Sequence, residues 1–221
     1  MNLKCTTDKY SLLYARWLLK DHLLEYGWYE PGMKVLDLCG GEGALTRQCL
    51  RMEADPSTLT LLDLTPRLLY KPEVIQIQGD ANHLGDVFSD LHAYHGYFDR
   101  IFIRQAAAYL NWDIPTVLWL KKLLAPGGKL VFNTFRKPKW SVKGYKFCGR
   151  WYFEGSAYVG RTVFHVQAGQ GLGVDVTKFR WHREAWLKNN LERSFNVDIH
   201  NRNKSQTWVC IPKGSTLPTA A

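Results

Sequence analysis

The apolar residues of the chain fall into two patterns that alternate through its first two thirds. Short, mostly apolar runs are typical of buried strands, and longer stretches with apolar residues three and four apart are typical of helices. Strands are predicted at Met33–Leu38, Thr58–Leu64, Glu73–Asp80, Tyr97–Gln105 and Lys129–Phe135. Helices are predicted at about 8–27, Gly43–Arg51, Ile114–Leu124 and Arg183–Phe195. Strands that alternate with helices indicate βαβ units and therefore a parallel sheet.

The alternation ends after Phe135. Between about 151 and 181 short β-type runs are separated by glycine turns, which is typical of antiparallel strands. Two further strands, Asn196–Arg202 and Gln206–Pro212, follow the last helix. The sequence therefore predicts an α/β fold, a doubly wound, mostly parallel seven-stranded sheet with an antiparallel β insertion after strand five. We expect one domain over 1–221, with a basic loop and β flap inserted at about 136–182.

Composition narrows the class of protein. Hydrophobic residues make up 46% of the 221 residues, which is typical of a globular chain. The sequence contains neither an apolar run of the roughly 18 residues that a membrane span needs nor a signal-peptide pattern at its start. The 5 cysteines are scattered and lack metal-binding spacing, so a reduced, cytoplasmic setting without a disulfide framework is expected. The net charge of +9 favours anionic partners.

Glycines and acids mark the ends of three predicted strands. The stretch "VLDLCGGEGAL" carries Gly40, Gly41 and Gly43 directly after the first strand, where a ligand can approach bare backbone. Asp63 ends the second strand, in a position to accept hydrogen bonds from both hydroxyls of a ribose. An acid about 20 residues past a glycine loop is also a mark of dinucleotide-binding proteins. Two features argue against them, because Thr46 stands where their third glycine belongs and Asp80 adds a further acid after the third strand.

Together these residues resemble the motifs of the class I, Rossmann-like S-adenosylmethionine-dependent methyltransferases. The matching stretches are "VLDLCGGEG", "LLDLTP", "GDANHL", "FDRIFIRQAAAYL" and "LKKLLAPGGKLVFNTF". The resemblance covers roughly Met33–Phe135, and Cys39 occupies a position where the family commonly has a glycine. It implies an enzyme that uses S-adenosylmethionine as its methyl donor. No metal is expected, since the sequence has no convincing metal-ligand spacing.

The resemblance also implies roles for individual residues. Asp37 and the loop formed by Cys39, Gly40, Gly41 and Gly43 would hold the methionine end of the cofactor. Asp63 with Leu64 would hold the ribose, and Asp80 with Ala81 the adenine. Arg104 and Gln105 would line the site near the sulfonium. The helix at about 8–27 would form a lid over the cofactor, as the N-terminal helix often does in this family.

The methyl acceptor is less well marked. The motifs of two classes of DNA base methyltransferase are missing, because "RQAA" follows strand four and none of the cysteines follows a proline. The stretch Arg136–Arg150 has six cationic residues, no acid and three interleaved aromatic residues. It is predicted to clamp a small anionic or aromatic acceptor through Lys139, Trp140 and Lys143, with Tyr109 nearby. The alternatives are a solvated cationic loop and a platform on which nucleic-acid bases stack.

Three side chains are candidates for a catalytic base or a contact with the methyl group. His165 and His182 lie in the predicted flap, and Tyr14 lies in the predicted lid helix. For each of them the alternative is a structural role. The resulting hypothesis is a cytoplasmic N- or O-methyltransferase of a small acceptor, without a membrane partner. The alternatives are an RNA-directed methyltransferase, which would bind RNA less tightly as salt increases, and a non-catalytic cofactor-binding module.

Overall fold

A computed structural model describes most of the chain at the level of its backbone. The described residues are 21–66, 72–104, 106–135, 143–147, 150–159, 162–169, 173–180, 182–202 and 205–214. Side chains are not described in the four strands between 143 and 180. The described part begins with the π-helical turn Asp21–Tyr26, so the rest of the predicted lid helix lies outside it.

A seven-stranded sheet forms the centre of the molecule. Its parallel strands are β1 (Val35–Leu38), β2 (Leu59–Asp63), β3 (Ile75–Gln78), β4 (Phe98–Ile103) and β5 (Leu124–Phe135). After an insertion come β10 (Phe195–Arg202) and β11 (Ser205–Pro212). The strand order is β10-β11-β5-β4-β1-β2-β3, and β11 is antiparallel to both of its neighbours. The order reverses between β1 and β4, which is where ligands bind in doubly wound sheets.

The insertion forms a second, antiparallel sheet. Its strands are β6 (Lys143–Phe147), β7 (Arg150–Val159), β8 (Thr162–Gly169) and β9 (Gly173–Arg180), paired in chain order. The strand β9 lies against the single-turn 3₁₀ helix Ala107–Tyr109, which follows β4. The insertion therefore stands over the segment that leaves the carboxyl end of β4.

Four described α-helices complete the fold. They are α1 (Ala44–Arg51), α2 (Leu84–Phe88), α3 (Ile114–Leu123) and α4 (Glu184–Leu191). The start of α3 is fixed by Asp113, whose carboxylate accepts a hydrogen bond from the Thr116 amide, with Pro115 in the first turn. None of the described helices is both long enough and apolar enough to cross a membrane.

The two faces of the central sheet bury separate apolar clusters. One face packs against α2, α3 and α4, with Phe132 between Trp112 and Trp208. The other face packs against α1 and the segment around Tyr29. Because both faces are covered, β1, β2 and β4 are largely apolar, as the sequence pattern predicted. The edge strand β3 instead alternates isoleucine and glutamine.

A polar contact ties the two ends of the insertion to the central sheet. Thr134 Oγ1 at the end of β5 donates to Gln206 Oε1 (3.2 Å), and Gln206 Nε2 donates to Glu184 Oε2 (2.5 Å) at the start of α4. Trp208 Nε1 donates to the Thr134 hydroxyl at 2.8 Å. Gln206 is 6% exposed, so it holds both ends from inside the protein.

The predicted fold class is confirmed, and three details differ. Strand β5 begins at Leu124, because Pro126, Gly127 and Gly128 lie in a bulge where the register with β4 shifts. The insertion has an extra strand, β6, because part of the predicted basic loop pairs with β7. The helix α2 was not predicted, since its five residues are too few to show a helical period.

Candidate cofactor site

The loop between β1 and α1 depends on residues with positive φ. Cys39, Gly41 and Gly43 have φ values of 58°, 55° and 68°, in the left-handed region that favours glycine. A Cβ placed on Gly40 would lie 2.2 Å from Leu61 Cδ1 and 2.7 Å from Asp37 Cγ. The amide of Gly40 donates to the Leu62 carbonyl at 3.2 Å, which joins the loop to the end of β2. A larger residue at Gly40 would therefore push the loop away from the sheet.

Asp37 holds the first turn of α1 from inside the sheet. Its side chain is buried, and Oδ2 accepts from the Thr46 hydroxyl at 2.8 Å and from the Thr46 amide at 3.2 Å. Burial raises the pKa of Asp37, while the bonds from Thr46 and the charge of Arg104 act in the opposite direction. Thr46, which stood out in the sequence only as a missing glycine, is thus the partner of this acid.

Asp63 holds the glycine loop from the neighbouring strand. Its Oδ2 accepts from the Gly41 amide and its Oδ1 from the Thr65 amide, both at 3.0 Å. Asp63 was predicted to accept hydrogen bonds from both hydroxyls of a ribose, and in the structure each of its oxygens already accepts one from a backbone amide. A carboxylate has about four lone-pair sites, so capacity for further donors remains.

Asp80 and Ala81 lie just past the end of β3. Asp80 Oδ1 accepts from the Asn82 amide at 2.9 Å and starts a short 3₁₀ helix. Ala81 is buried, whereas Asp80 is half-buried. The amide of Gly79 donates to the Asp63 carbonyl at 3.0 Å, so the two strand ends stay side by side.

The three acids meet around the thiol of Cys39. Burial and then the charges of Asp63, Asp37 and Asp80, in that order, raise the pKa of Cys39 well above its usual range. The thiol is therefore protonated and unreactive at neutral pH. Cys39 is partly buried and packs against the larger apolar cluster. The predicted grouping of acids at adjoining strand ends is present.

The other predicted cofactor residues surround this group. Arg104 is half-buried just past β4, and its charge lowers the pKa of Asp37, which places the two close together. Leu64 is exposed to 52%, and Tyr109, which was predicted as a substrate contact, is exposed to 46%. Gln105 lies outside the described residues.

His182 is in contact with the segment after β4. Its Nε2 lies 2.9 Å from the Leu110 carbonyl, and its ring stacks on Trp186 at a centroid distance of 5.3 Å. A carbonyl only accepts, so Nε2 carries the proton in this contact. The predicted role of His182 as a base stays a prediction, and this geometry ties up Nε2 as a donor.

Of the remaining predicted residues, the structure describes the backbone of Lys143 and His165. Tyr14, Lys139 and Trp140 lie outside the described residues. Lys143 starts β6, with its backbone paired to Glu154. His165 is on β8, an interior strand of the insertion, in register with Ser156 and Thr177. The structure therefore does not test the predicted acceptor clamp.

The chemistry of these groups fits S-adenosylmethionine. A glycine loop with positive φ offers backbone to the methionine end, and half-buried carboxylates at Asp63 and Asp80 suit ribose hydroxyls and an adenine amine. Asp37 fits less directly, because it is 2% exposed and bonded to Thr46. Across the described residues, no group of three or more His, Cys, Asp or Glu side chains is arranged to hold a metal ion.

Sequence comparison finds relatives with a named activity. The ubiquinone/menaquinone biosynthesis C-methyltransferase UbiE of Shewanella woodyi is 32% identical over 127 residues, which is 56% of this chain and 51% of that protein. The UbiE protein of Shewanella sp. (strain W3-18-1) is 29% identical over the same share of each chain. The chain thus spans about half the length of the curated relatives it matches. A comparison with known protein-family profiles finds no match.

Solved structures share the whole fold at low sequence identity. An amino pentose methyltransferase, CalS10 from Micromonospora echinaspora, superposes with a TM-score of 0.63 at 16% identity and covers 94% of this chain and 93% of its own. An S-adenosylmethionine-dependent methyltransferase from Clostridium acetobutylicum gives 0.60 at 14% identity, covering 91% of this chain and 100% of its own. The chain therefore has the class I, Rossmann-like fold of these S-adenosylmethionine-dependent methyltransferases, as its motifs implied.

Two residues that shape the site were not predicted as part of it. Thr46 bonds to Asp37, and Asn82 bonds across to the segment after β4. The signal for Thr46 was its place one helical turn into α1. Asn82 was visible in "GDANHL", but only the folded chain brings it next to residues 109 and 111, which lie 27 and 29 positions away.

Proposed function

We propose that the chain is a methyltransferase that binds S-adenosylmethionine across the carboxyl ends of β1, β2 and β3. The main support is the arrangement of Asp37, Asp63 and Asp80 at adjoining strand ends. Asp63 accepts from the Gly41 amide, a Cβ on Gly40 would lie 2.7 Å from Asp37 Cγ, and the Gly79 amide next to Asp80 donates to the Asp63 carbonyl. The similarity to UbiE and the shared fold agree with this proposal. A dinucleotide needs no acid after the third strand, so Asp80 disfavours an oxidoreductase.

The cofactor supplies a methyl group on a sulfonium that is already electrophilic. In this proposal the residues of the chain bind and orient the cofactor and exclude water. Asp63 accepts from the ribose hydroxyls while it keeps the loop in place through Gly41. Asp80 and the Ala81 amide hydrogen-bond to the edge of the adenine, and the loop amides bind the methionine carboxylate. Arg104 balances the charge of Asp37 next to this site. No side chain is assigned here as a general base.

The acceptor in this proposal is a small anionic or aromatic molecule, methylated on nitrogen or oxygen. Structural relatives such as the amino pentose methyltransferase CalS10 and the sugar N-methyltransferase KedS8 have names that agree with a small acceptor. UbiE is named as a C-methyltransferase, so an assay should include carbon acceptors. A cytoplasmic location, which the scattered cysteines suggest, belongs to the same proposal.

The cofactor part is tested by isothermal titration of the full chain with S-adenosylhomocysteine. We expect micromolar binding with one site per chain. A thermal-shift series with S-adenosylhomocysteine and NADH compares the two cofactor classes directly. Stabilisation by NADH alone, or no heat from S-adenosylhomocysteine, contradicts the proposal.

The acceptor part is tested with a library of amino sugars, phenols, quinols and phosphorylated metabolites, with S-adenosylmethionine saturating. Methyl transfer to a library member supports the small-acceptor proposal. The RNA alternative is tested separately by RNA binding at increasing salt, because phosphate contacts predict a steep loss of affinity. Tight, salt-sensitive binding together with methylated RNA would overturn the small-acceptor proposal. If no library member is methylated and the RNA affinity does not change with salt, the non-catalytic alternative is favoured.

A further inference from the structure

The segment Ala107–Trp112, called the bridge segment here, runs from the end of β4 to the start of α3. Three side chains from different elements donate hydrogen bonds to its carbonyl groups. Asn82 Nδ2 donates to the Tyr109 carbonyl at 3.1 Å, and Asn190 Nδ2 on α4 donates to the Trp112 carbonyl at 3.2 Å. The indole of Trp112 closes the segment on itself by donating to the Ala107 carbonyl at 2.7 Å.

Asn82 and a further residue, His182, contact this segment from different elements of the fold. Asn82 lies two residues after Asp80, and its Oδ1 also accepts from the Asn111 amide at 2.7 Å. His182 lies at the end of the insertion and contacts the Leu110 carbonyl. The strand β9 of the insertion packs against residues 107–109 of the same segment. The adenine side and the insertion therefore touch one short piece of backbone.

We propose that the bridge segment couples cofactor binding to the position of the inserted sheet, with Asn82 and His182 as positioning residues. This inference rests on the proposed function, because it takes Asp80 and Ala81 to be the adenine end. A group bound at Asp80 and Ala81 orders the turn that begins at Asp80. Asn82 then holds the backbone from Tyr109 to Asn111 in place through its two hydrogen bonds. The contact of His182 with the Leu110 carbonyl in turn holds the insertion against this backbone. Cofactor binding thereby stabilises the position of β9.

The position of His182 also gives it a role different from that of a base. Its Nε2–H donates to a carbonyl, so a glutamine at this position would keep the donor without a titrating group. A positioning role predicts that His182→Gln restores what His182→Ala loses. If His182 acted as a general base, both variants would lose that function.

The test is hydrogen–deuterium exchange of the full chain, with and without saturating S-adenosylhomocysteine. In the parent, we expect the ligand to slow exchange about tenfold in residues 107–112 and in β9, because local opening becomes less frequent. In Asn82→Ala, we expect ligand binding to persist with a Kd raised less than tenfold, while both distant segments lose this protection. In His182→Ala, the bridge segment keeps its protection and β9 loses it, and His182→Gln restores it.

Controls separate this coupling from general damage. Asn189→Ala changes an exposed asparagine next to Asn190 on α4 and should match the parent throughout. Asn82→Asp keeps the acceptor for the Asn111 amide and removes the donor to Tyr109, so it should lose part of the effect even where the alanine variant folds poorly. Without ligand, Asn82→Ala should exchange about tenfold faster than Asn189→Ala at 107–112, since two hydrogen bonds are lost.

Several outcomes would overturn the inference. If S-adenosylhomocysteine binds the parent and leaves both 107–112 and β9 unchanged, there is no coupling. If Asn82→Ala shows the full protection of the parent, Asn82 does not carry it. If His182→Gln behaves as His182→Ala, the donor to Leu110 is not what positions β9. If the parent does not bind S-adenosylhomocysteine, the proposed function fails, and the coupling fails with it.

Discussion

Two groups of charged residues lie at opposite ends of the strands of the central sheet. The acidic group, formed by the buried Asp37 and the half-buried Asp63 and Asp80, lies toward the carboxyl ends, whereas the basic group, formed by the buried Arg100 and Lys129, lies toward the amino ends. The register pairs Asp37 with Phe102, and Arg100 with both Val35 and Lys129, so all of these side chains share one face. The apolar residues Phe102 and Val131 separate the two groups.

The two groups differ in what satisfies their charges. Arg100 is bonded to carbonyls, through Nε to Gly27 and through Nη2 to Trp28 at 3.1 Å. Lys129 lies over the Trp28 ring at 3.5 Å from its centroid. These cations hold the segment before β1 onto the sheet. The acids instead hold a loop with positive φ and keep room for further donors. Buried charge alone therefore does not mark a ligand site. The kind of group that a charged side chain contacts is what distinguishes a ligand site from a structural one.

The largest effect is expected from the acidic group. Asp63→Ala should weaken S-adenosylhomocysteine binding by about 100-fold, because two hydrogen bonds to a charged acceptor are lost. Isothermal titration measures the change, with Asp90→Ala as an exposed control. Equal affinities in Asp63→Ala and the control would remove Asp63 from the site.

Next comes the basic group, where stability should change and binding should not. Arg100→Leu leaves the Gly27 and Trp28 carbonyls without their donor and should lower the free energy of unfolding by about 2 kcal/mol. Urea denaturation measures this value. Arg51→Leu, at the exposed end of α1, is the control. A selective loss of S-adenosylhomocysteine affinity without a stability change would break the proposed division.

Lys129 is expected to show its effect through pH. Burial, and then the charge of Arg100, lower its pKa from 10.5 to about 8. Between these values the unfolded state binds more protons than the folded state, so Lys129 makes stability rise with pH across this window. Below pH 8 both states are protonated, and the cost of burying the charge is fully present.

Lys129→Met should therefore raise the free energy of unfolding by about 1 kcal/mol at pH 7 and remove that part of the pH dependence. Urea denaturation at several pH values between 7 and 10.5 measures both effects. The matched control is Lys122→Met, since Lys122 is exposed and also lies over a tryptophan ring, that of Trp119. A parent curve that differs from Lys129→Met by a constant amount at every pH would contradict the lowered pKa.

The smallest effect concerns the backbone of the loop. Cys39 has a φ of 58°, a conformation that costs a residue with a Cβ about 1 kcal/mol relative to glycine. Cys39→Gly should thus be more stable than Cys39→Ala by about 1 kcal/mol, while both lose the thiol. Thermal unfolding of the pair measures this difference. A more stable alanine variant would show that the left-handed backbone is not what sets the preference at this position.

The sequence predicted the acidic group better than the basic one, for physical reasons. Asp37, Asp63 and Asp80 each lie at or near the carboxyl end of a predicted strand, and parallel strands bring such ends to one edge of the sheet. Arg100 lies inside such a run, where nothing in the pattern shows that Gly27 and Trp28 reach it from 73 and 72 positions away. Contacts between distant segments, such as Asn82 with Tyr109, depend on tertiary packing and have no periodic signal. The roles of Tyr14, Lys139 and Trp140 stay predictions.

The polar contact through Gln206 has a consequence for how such a protein can change over evolution. One side chain reaches both Thr134 and Glu184, so the excursion of some fifty residues leaves and rejoins the core at nearly one point. A module attached in this way can lengthen, shrink or be exchanged without moving the neighbouring strands. Under the proposed function, new acceptors can then be recruited to an unchanged cofactor site by replacing this module.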